Sequence, residues 1–178
     1  MLDRFRSLVV GLSLIVVVGL VSLYLFVQIG GGEDIFGDSE GSLPPVDFEQ
    51  LVYGVDDNGY LLCPLELCER AVPDAPSPVF TMSESSLRQM FVSYADDNPT
   101  VDTFRFDLPA SQFDFTERLP GQTFPAVITV KIIRVDAYSS TAAIYSRQPV
   151  GSSSKSDHVE RVSRWLQFIM NATGQSAS

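Results

Sequence analysis

Between Leu8 and Ile29 the chain reads LVVGLSLIVVVGLVSLYLFVQI, without a single charged side chain. A helix over this run would be about 33 Å long at ~1.5 Å per residue, enough to cross a hydrocarbon core of about 30 Å. A cleaved signal peptide would have a shorter apolar core and a small-x-small cleavage site. Here the run ends Gln28-Ile29-Gly30-Gly31-Gly32, and no cysteine stands where lipoprotein attachment would need one. The segment therefore reads as an uncleaved signal anchor. Arg4 and Arg6 precede it, and the next basic residue is Arg70. The positive-inside rule then leaves the N-terminus in the cytoplasm and translocates the rest. In a bacterium this is a single-pass inner-membrane protein with a periplasmic C-terminal domain.

This anchor divides the chain. Residues 1–29 are a cytoplasmic stub and transmembrane anchor, and residues 30–45 (GGGEDIFGDSEGSLPP) a flexible acidic tether with little to bury. Residues 46–172 make one extracytoplasmic domain, and residues 173–178 a tail. Acidic side chains outnumber basic ones by 22 to 12, for a net charge of −10. Nucleic-acid binding is excluded, because phosphate recognition needs clustered Lys and Arg.

Within the domain, Asp56-Asp57-Asn58-Gly59 between apolar arms predicts a tight turn and a short hairpin. Thr81-Met82-Ser83-Glu84 has capping-box form, with Leu87, Met90, Phe91 and Tyr94 on one helical face and Asn98-Pro99 as the stop. Four strand candidates follow. Phe104, Phe106 and Leu108 alternate with polar residues, as do Phe113 and Phe115. Residues 124–135 form a β-branched run, and residues 137–147 complete the set. Asp157 is placed to cap a final helix whose apolar stripe is Val159, Val162, Trp165, Leu166 and Ile169, with Arg161 and Arg164 facing elsewhere. The expected fold is α+β: an N-terminal transmembrane helix, then an antiparallel sheet of about four strands with helices packed on one face. The other face is expected to be covered by residues 46–80 or to stay partly wet.

The chemistry-bearing residues are few. Cys63 and Cys68 suit a disulfide in an oxidising compartment better than half a zinc site or a redox pair without Cys-x-x-Cys spacing. Asp96-Asp97-Asn98 and the Asp56 turn lack the spacing of an EF-hand loop, so no metal and no cofactor is implied. His158, the only histidine, lies among serines in SRQPVGSSSKSDH (residues 146–158). Without a G-x-S-x-G elbow or an orienting partner evident, it reads as a cap or surface residue.

Residues 139–166, SSTAAIYSRQPVGSSSKSDHVERVSRWL, resemble the bacterial domain of unknown function 1499 family in its long, membrane-anchored form. The matching positions are Ser146, Arg147, Val150, Gly151, Ser153, Arg161, Val162, Trp165 and Leu166. Val46-Asp47-Phe48, Leu62-Cys63-Pro64, Pro73-Asp74-Ala75, residues 77–80 and residues 124–128 extend the likeness over the domain. The chain departs from the family at Ser154, Ser156, His158 and Val159. The resemblance implies no established activity. It does single out Arg147, Gly151, Ser153 and Arg161 as candidates to bind a small anionic ligand. Against this stands the plainer reading, which takes precedence, that Gly151 supplies an unusual backbone angle and the arginines pair with local carboxylates.

The function expected from these residues is that of a membrane-anchored periplasmic interaction or ligand-binding module of the cell envelope, partnered by another envelope protein or by the anion. It leans away from an enzyme. The alternatives are a periplasmic hydrolase using segment 146–158 and an assembly factor for another membrane complex.

Overall fold

The computed structural model describes residues 43–173, together with Val17, Gly19, Val21 and Ser22. The expected span at residues 8–29 lies outside the described residues except for those four, which are helical. So do the expected tether, apart from residues 43–45, and the tail beyond Thr173. Among the described residues no helix is long and apolar enough to cross a membrane. The chain divides into units Met1–Pro45 and Val46–Ser178, and the second carries the fold below.

Its elements are β1 (Gly59–Leu62), β2 (Val79–Phe80), α1 (Glu84–Asp97), β3 (Val101–Asp107), β4 (Gln112–Glu117), β5 (Ala126–Arg134), β6 (Ser140–Arg147) and α2 (Lys155–Thr173). The fold is α+β, an antiparallel six-stranded sheet in the order β1-β6-β5-β4-β3, with β2 also paired to β6. The sheet is two strands larger than the sequence suggests. β1 and β2 are short, and what makes them strands is the edge of β6, a long-range partner that local alternation does not encode.

The expected hairpin at Asp56–Gly59 does not form. A turn is present, with Asp57 N–H donating to Gly54 O at 3.1 Å and Gly54 N–H to Asp57 Oδ2 at 2.6 Å. Its arms, however, go to different partners: Tyr53 bridges Ala71 in parallel, while β1 pairs with β6. Gly59 is needed for proximity, since a Cβ there would sit 3.0 Å from Ser146 O and 3.2 Å from Tyr145 Cε2.

β5, rich in β-branched residues, lies at the centre and is buried on both faces over most of its length. On one face Phe113, Phe115, Ile128, Val130 and Ile144 meet Leu87, Phe91 and Tyr94 of α1 and Val162, Trp165 and Ile169 of α2. On the other, Leu61 and Ala143 are covered by Val46, Phe48 and Tyr53 and by the bonded pair Cys63–Cys68. Bonded to each other, Cys63 and Cys68 are the disulfide the sequence suggests.

Three sequence expectations shift in register. Ser83, not Thr81, caps α1, its side chain accepting from Ser86 N–H. Ahead of α2, Ser154 Oγ accepts from Asp157 N–H at 3.2 Å while Asp157 Oδ2 accepts from Ser154 N–H at 2.9 Å. Asp157 is thus the third helical residue of a reciprocal capping box rather than the cap. The inward stripe of α2 is His158, Arg161, Val162, Trp165 and Ile169, with Leu166 packed at its margin, while Val159 points outward. Phe104, Phe106 and Leu108 are also exposed, because β3 is an edge strand with a bulge between Thr103 and Arg105.

Candidate functional site

Strand alternation and helical spacing together bring polar groups into the core beneath α2. Ser146 on β6 points to the helical side of the sheet, and Arg147 to the opposite side. Positions 158, 161, 162 and 165 follow the i, i+3, i+4, i+7 rule, so His158 and Arg161 face inward with Val162 and Trp165. Glu117 ends β4 on the same side as Phe113 and Phe115. His158, Ser146 and Arg161 are fully buried and Glu117 nearly so.

His158 Nδ1 lies 2.8 Å from Ser146 Oγ and 3.1 Å from Arg161 Nη1, and Nε2 lies 2.5 Å from Ser153 Oγ. A guanidinium only donates, so Nδ1 is the acceptor and Nε2 carries the proton and donates to Ser153. Arg161 Nε sits 3.5 Å from Glu117 Oε2. Glu117 also accepts from Arg164 Nη2 at 2.5 Å and from Trp165 Nε1 at 3.2 Å. Among the described residues neither Arg161 Nη2 nor Nε has a hydrogen-bond partner, so Nε meets Glu117 as an ion pair alone. Burial, reinforced by the Arg161 charge and opposed only by Asp157, pushes the His158 pKa down to about 4, so the ring is neutral at physiological pH.

Two serines on one imidazole suggest half of a catalytic triad, but the third partner has the wrong sign. A triad carboxylate stabilises the imidazolium that forms when serine gives up its proton. Arg161 disfavours that charge. The neighbouring carboxylate, Asp157, is turned to its own helix cap. With Ser146 and His158 at zero exposure, the arrangement is a clasp holding α2 to the sheet. The histidine was read as a cap or surface residue because its position at the helix start and the lack of an evident orienting partner outweighed its place on the apolar face. Its spacing to Arg161, Val162 and Trp165 was the available signal.

The four positions singled out by the resemblance do not converge. Ser153 and Arg161 meet through His158. Arg147, on the other face, lays its guanidinium over the Tyr145 ring at 5.7 Å. Gly151 adopts φ +85°, and a Cβ there would come 3.2 Å from Phe124 Cδ2. Arg161 pairs with a carboxylate, as the plainer reading has it, and Gly151 does hold the unusual angle.

A second polar centre was not anticipated. Asp74 accepts from Tyr53 O–H at 2.6 Å, from Leu61 N–H at 2.9 Å and from Lys155 Nζ at 2.5 Å. Burial would raise its pKa, but the bonds from Lys155, Tyr53 and Leu61 outweigh that and hold the carboxyl below its ordinary value. Burial and the adjacent Asp74 drive the Tyr53 phenol upward, so it stays a donor. This centre ties the segment ahead of β2 to the first turn of α2.

An open concavity next to the clasp lies between residues 121–124 and 148–152, with a volume of about 360 Å³; other hollows, lined by Glu84, Arg88, Arg134 and Asp136 and by Glu49, Glu66, Glu69 and Arg70, are charged. Gln148 Nε2 crosses the base of the first, donating to Phe124 O and Pro125 O at 3.1 Å and to Val150 O at 2.8 Å. No described residue lining it is charged.

Fold and site together define a two-helix, six-stranded α+β domain with a closed charged clasp and a separate, neutral surface pocket. The chain matches no known family model, and no curated protein was found to be similar to it.

Proposed function

We infer that this protein is a membrane-anchored binding module of the cell envelope, held by residues 8–29 with its α+β domain on the periplasmic side. The observation that carries the reading is the separation of the two polar regions. Ser146 and His158 are closed into the core around a guanidinium, with Ser153 half-buried at its margin, while the concavity beside them presents only neutral groups. A binding protein needs the second and has no use for an exposed base. The uncharged run and its arginine flank support the anchor and its orientation. The likeness to the domain of unknown function 1499 family supports treating residues 46–172 as one conserved-type unit.

The contacts of Ser146 and Ser153 with His158 are what favour the hydrolase alternative. The two readings separate on a serine-directed fluorophosphonate applied to the full-length protein. The binding module stays unlabelled. Covalent labelling that disappears in His158→Ala makes it a hydrolase. Protease treatment of spheroplasts tests the topology, and a domain that remains protected until the membrane is broken contradicts the periplasmic placement.

A further inference from the structure

We propose that the pocket between residues 121–124 and 148–152 binds a neutral saccharide. The proposal rests on the binding-module reading and names its ligand class. Charged side chains are a fifth of this sequence, yet no described residue lining the pocket is one of them. What lines it instead is an aromatic ring, two primary amides, hydroxyls and main chain.

Each amide is oriented by the protein. Gln148 spends Nε2 on three main-chain carbonyls, which fixes Oε1 as an acceptor with no partner among the described residues. Gln122 has the opposite polarity. Its Oε1 accepts from Leu119 N–H at 3.3 Å, which leaves Nε2 to donate. One fixed acceptor and one fixed donor, with the hydroxyls of Thr123 and Ser152 able to rotate to either role, match a ligand whose hydroxyls both give and take hydrogen bonds. An anion would meet the Gln148 oxygen and the surrounding carbonyl oxygens with nothing to neutralise it. A purely apolar ligand would strand both amides.

Phe124 supplies the remaining element. Phe124 is 45% exposed, and Gly151 lies against one edge of its ring where any Cβ would crowd it. An aromatic face held open beside paired amides offers a stacking surface for the apolar C–H face of a pyranose while the hydroxyl edge reaches the amides. A volume of about 360 Å³ sits at the small end of the range for ligand pockets, about 300–1,000 Å³, and suits a ligand of one or two rings.

The test is saturation-transfer NMR on the full-length protein in a detergent without a sugar headgroup, titrated with cellobiose and with N,N′-diacetylchitobiose. The expected result is saturable transfer to the C–H protons of at least one of them, weakened at least about tenfold in Phe124→Ala and weakened also in Gln122→Ala. The proposal is overturned if neither disaccharide binds, or if Phe124→Ala binds as well as the parent. It is also overturned if glucuronic acid or trialanine competes more tightly than the neutral sugars, which would assign the pocket to an anion or a peptide. Loss of sugar binding without fluorophosphonate labelling removes the saccharide alone. His158-dependent labelling removes the binding-module reading beneath it.

Discussion

The clasp under α2 and the pocket beside it are built from adjacent residues of one short connection, and they handle polarity in opposite ways. At Ser153 the chain turns inward, to an imidazole, a guanidinium and a carboxylate sealed from water. At Gly151 and Ser152 it borders an open, uncharged hollow. Buried charge is costly to separate, so the clasp is stiff and its parts depend on one another. Neutral amides at the surface cost little to leave solvated, so the pocket can wait for a ligand. On the binding-module reading proposed above, stability lies in one and recognition in the other, and substitutions can break that division.

The largest effect is expected from Glu117→Ala. It leaves Arg161 buried without a counter-ion and takes the acceptor from Trp165 Nε1, so denaturant unfolding should show a loss of about 3–5 kcal/mol. A milder loss would mean that the clasp is wetter than its zero exposure indicates.

Next comes pH. The folded state keeps His158 neutral down to about pH 4, against an ordinary value of 6.5, so between those values the unfolded chain binds the extra proton. The stabilisation is fully present above pH 6.5 and is lost as pH falls toward 4, amounting to about 3 kcal/mol. His158→Asn should remove that slope from a series of unfolding curves at pH 4–7. An unchanged slope would assign the pH dependence to other groups.

Gly151→Ala joins the two regions, since it strains a positive-φ position and presses on Phe124. A loss of about 1 kcal/mol in stability is expected, together with a change in whatever the pocket binds. Phe124→Ala should be the quietest of the four in thermal unfolding, within about 0.5 kcal/mol, because the ring is half in solvent. A larger cost there would make the ring structural and blur the division.

Much of the scaffold was legible because it rests on local pattern. β3 to β6, both helices, the Asn98 stop and the need to cover the second sheet face all follow from periodicity and caps. β2 was hidden because its strand character is supplied by β6, and β1 was expected as a hairpin arm while its true partner, β6, lies far along the chain. Phe104 and Phe106 misled because alternation shows that a strand has two faces without showing that the strand will end up at an edge. For the site, the signal was the spacing of His158 and Arg161 to Val162 and Trp165, which places all four on one helical face wherever the helix begins. The pocket left almost no sequence signal, since glutamines and glycines in loops are ordinary until their amides are seen to be oriented.

The pairing of Gly59 with Arg147 also sets a timetable. A chain delivered N-terminus first, from a ribosome or through a membrane, presents β1 long before β6 arrives. Until then the apolar side of the 46–71 segment has no sheet to lie on, and the four-residue β1 has nothing to pair with. The disulfide is the exception, because its two cysteines arrive almost together. β6 then enters between β1 and β5, and α2 follows at once to seal the helical face. The last quarter of the domain therefore closes both layers, and a chain cut short before Ser140 lacks the strand with which both β1 and β2 pair.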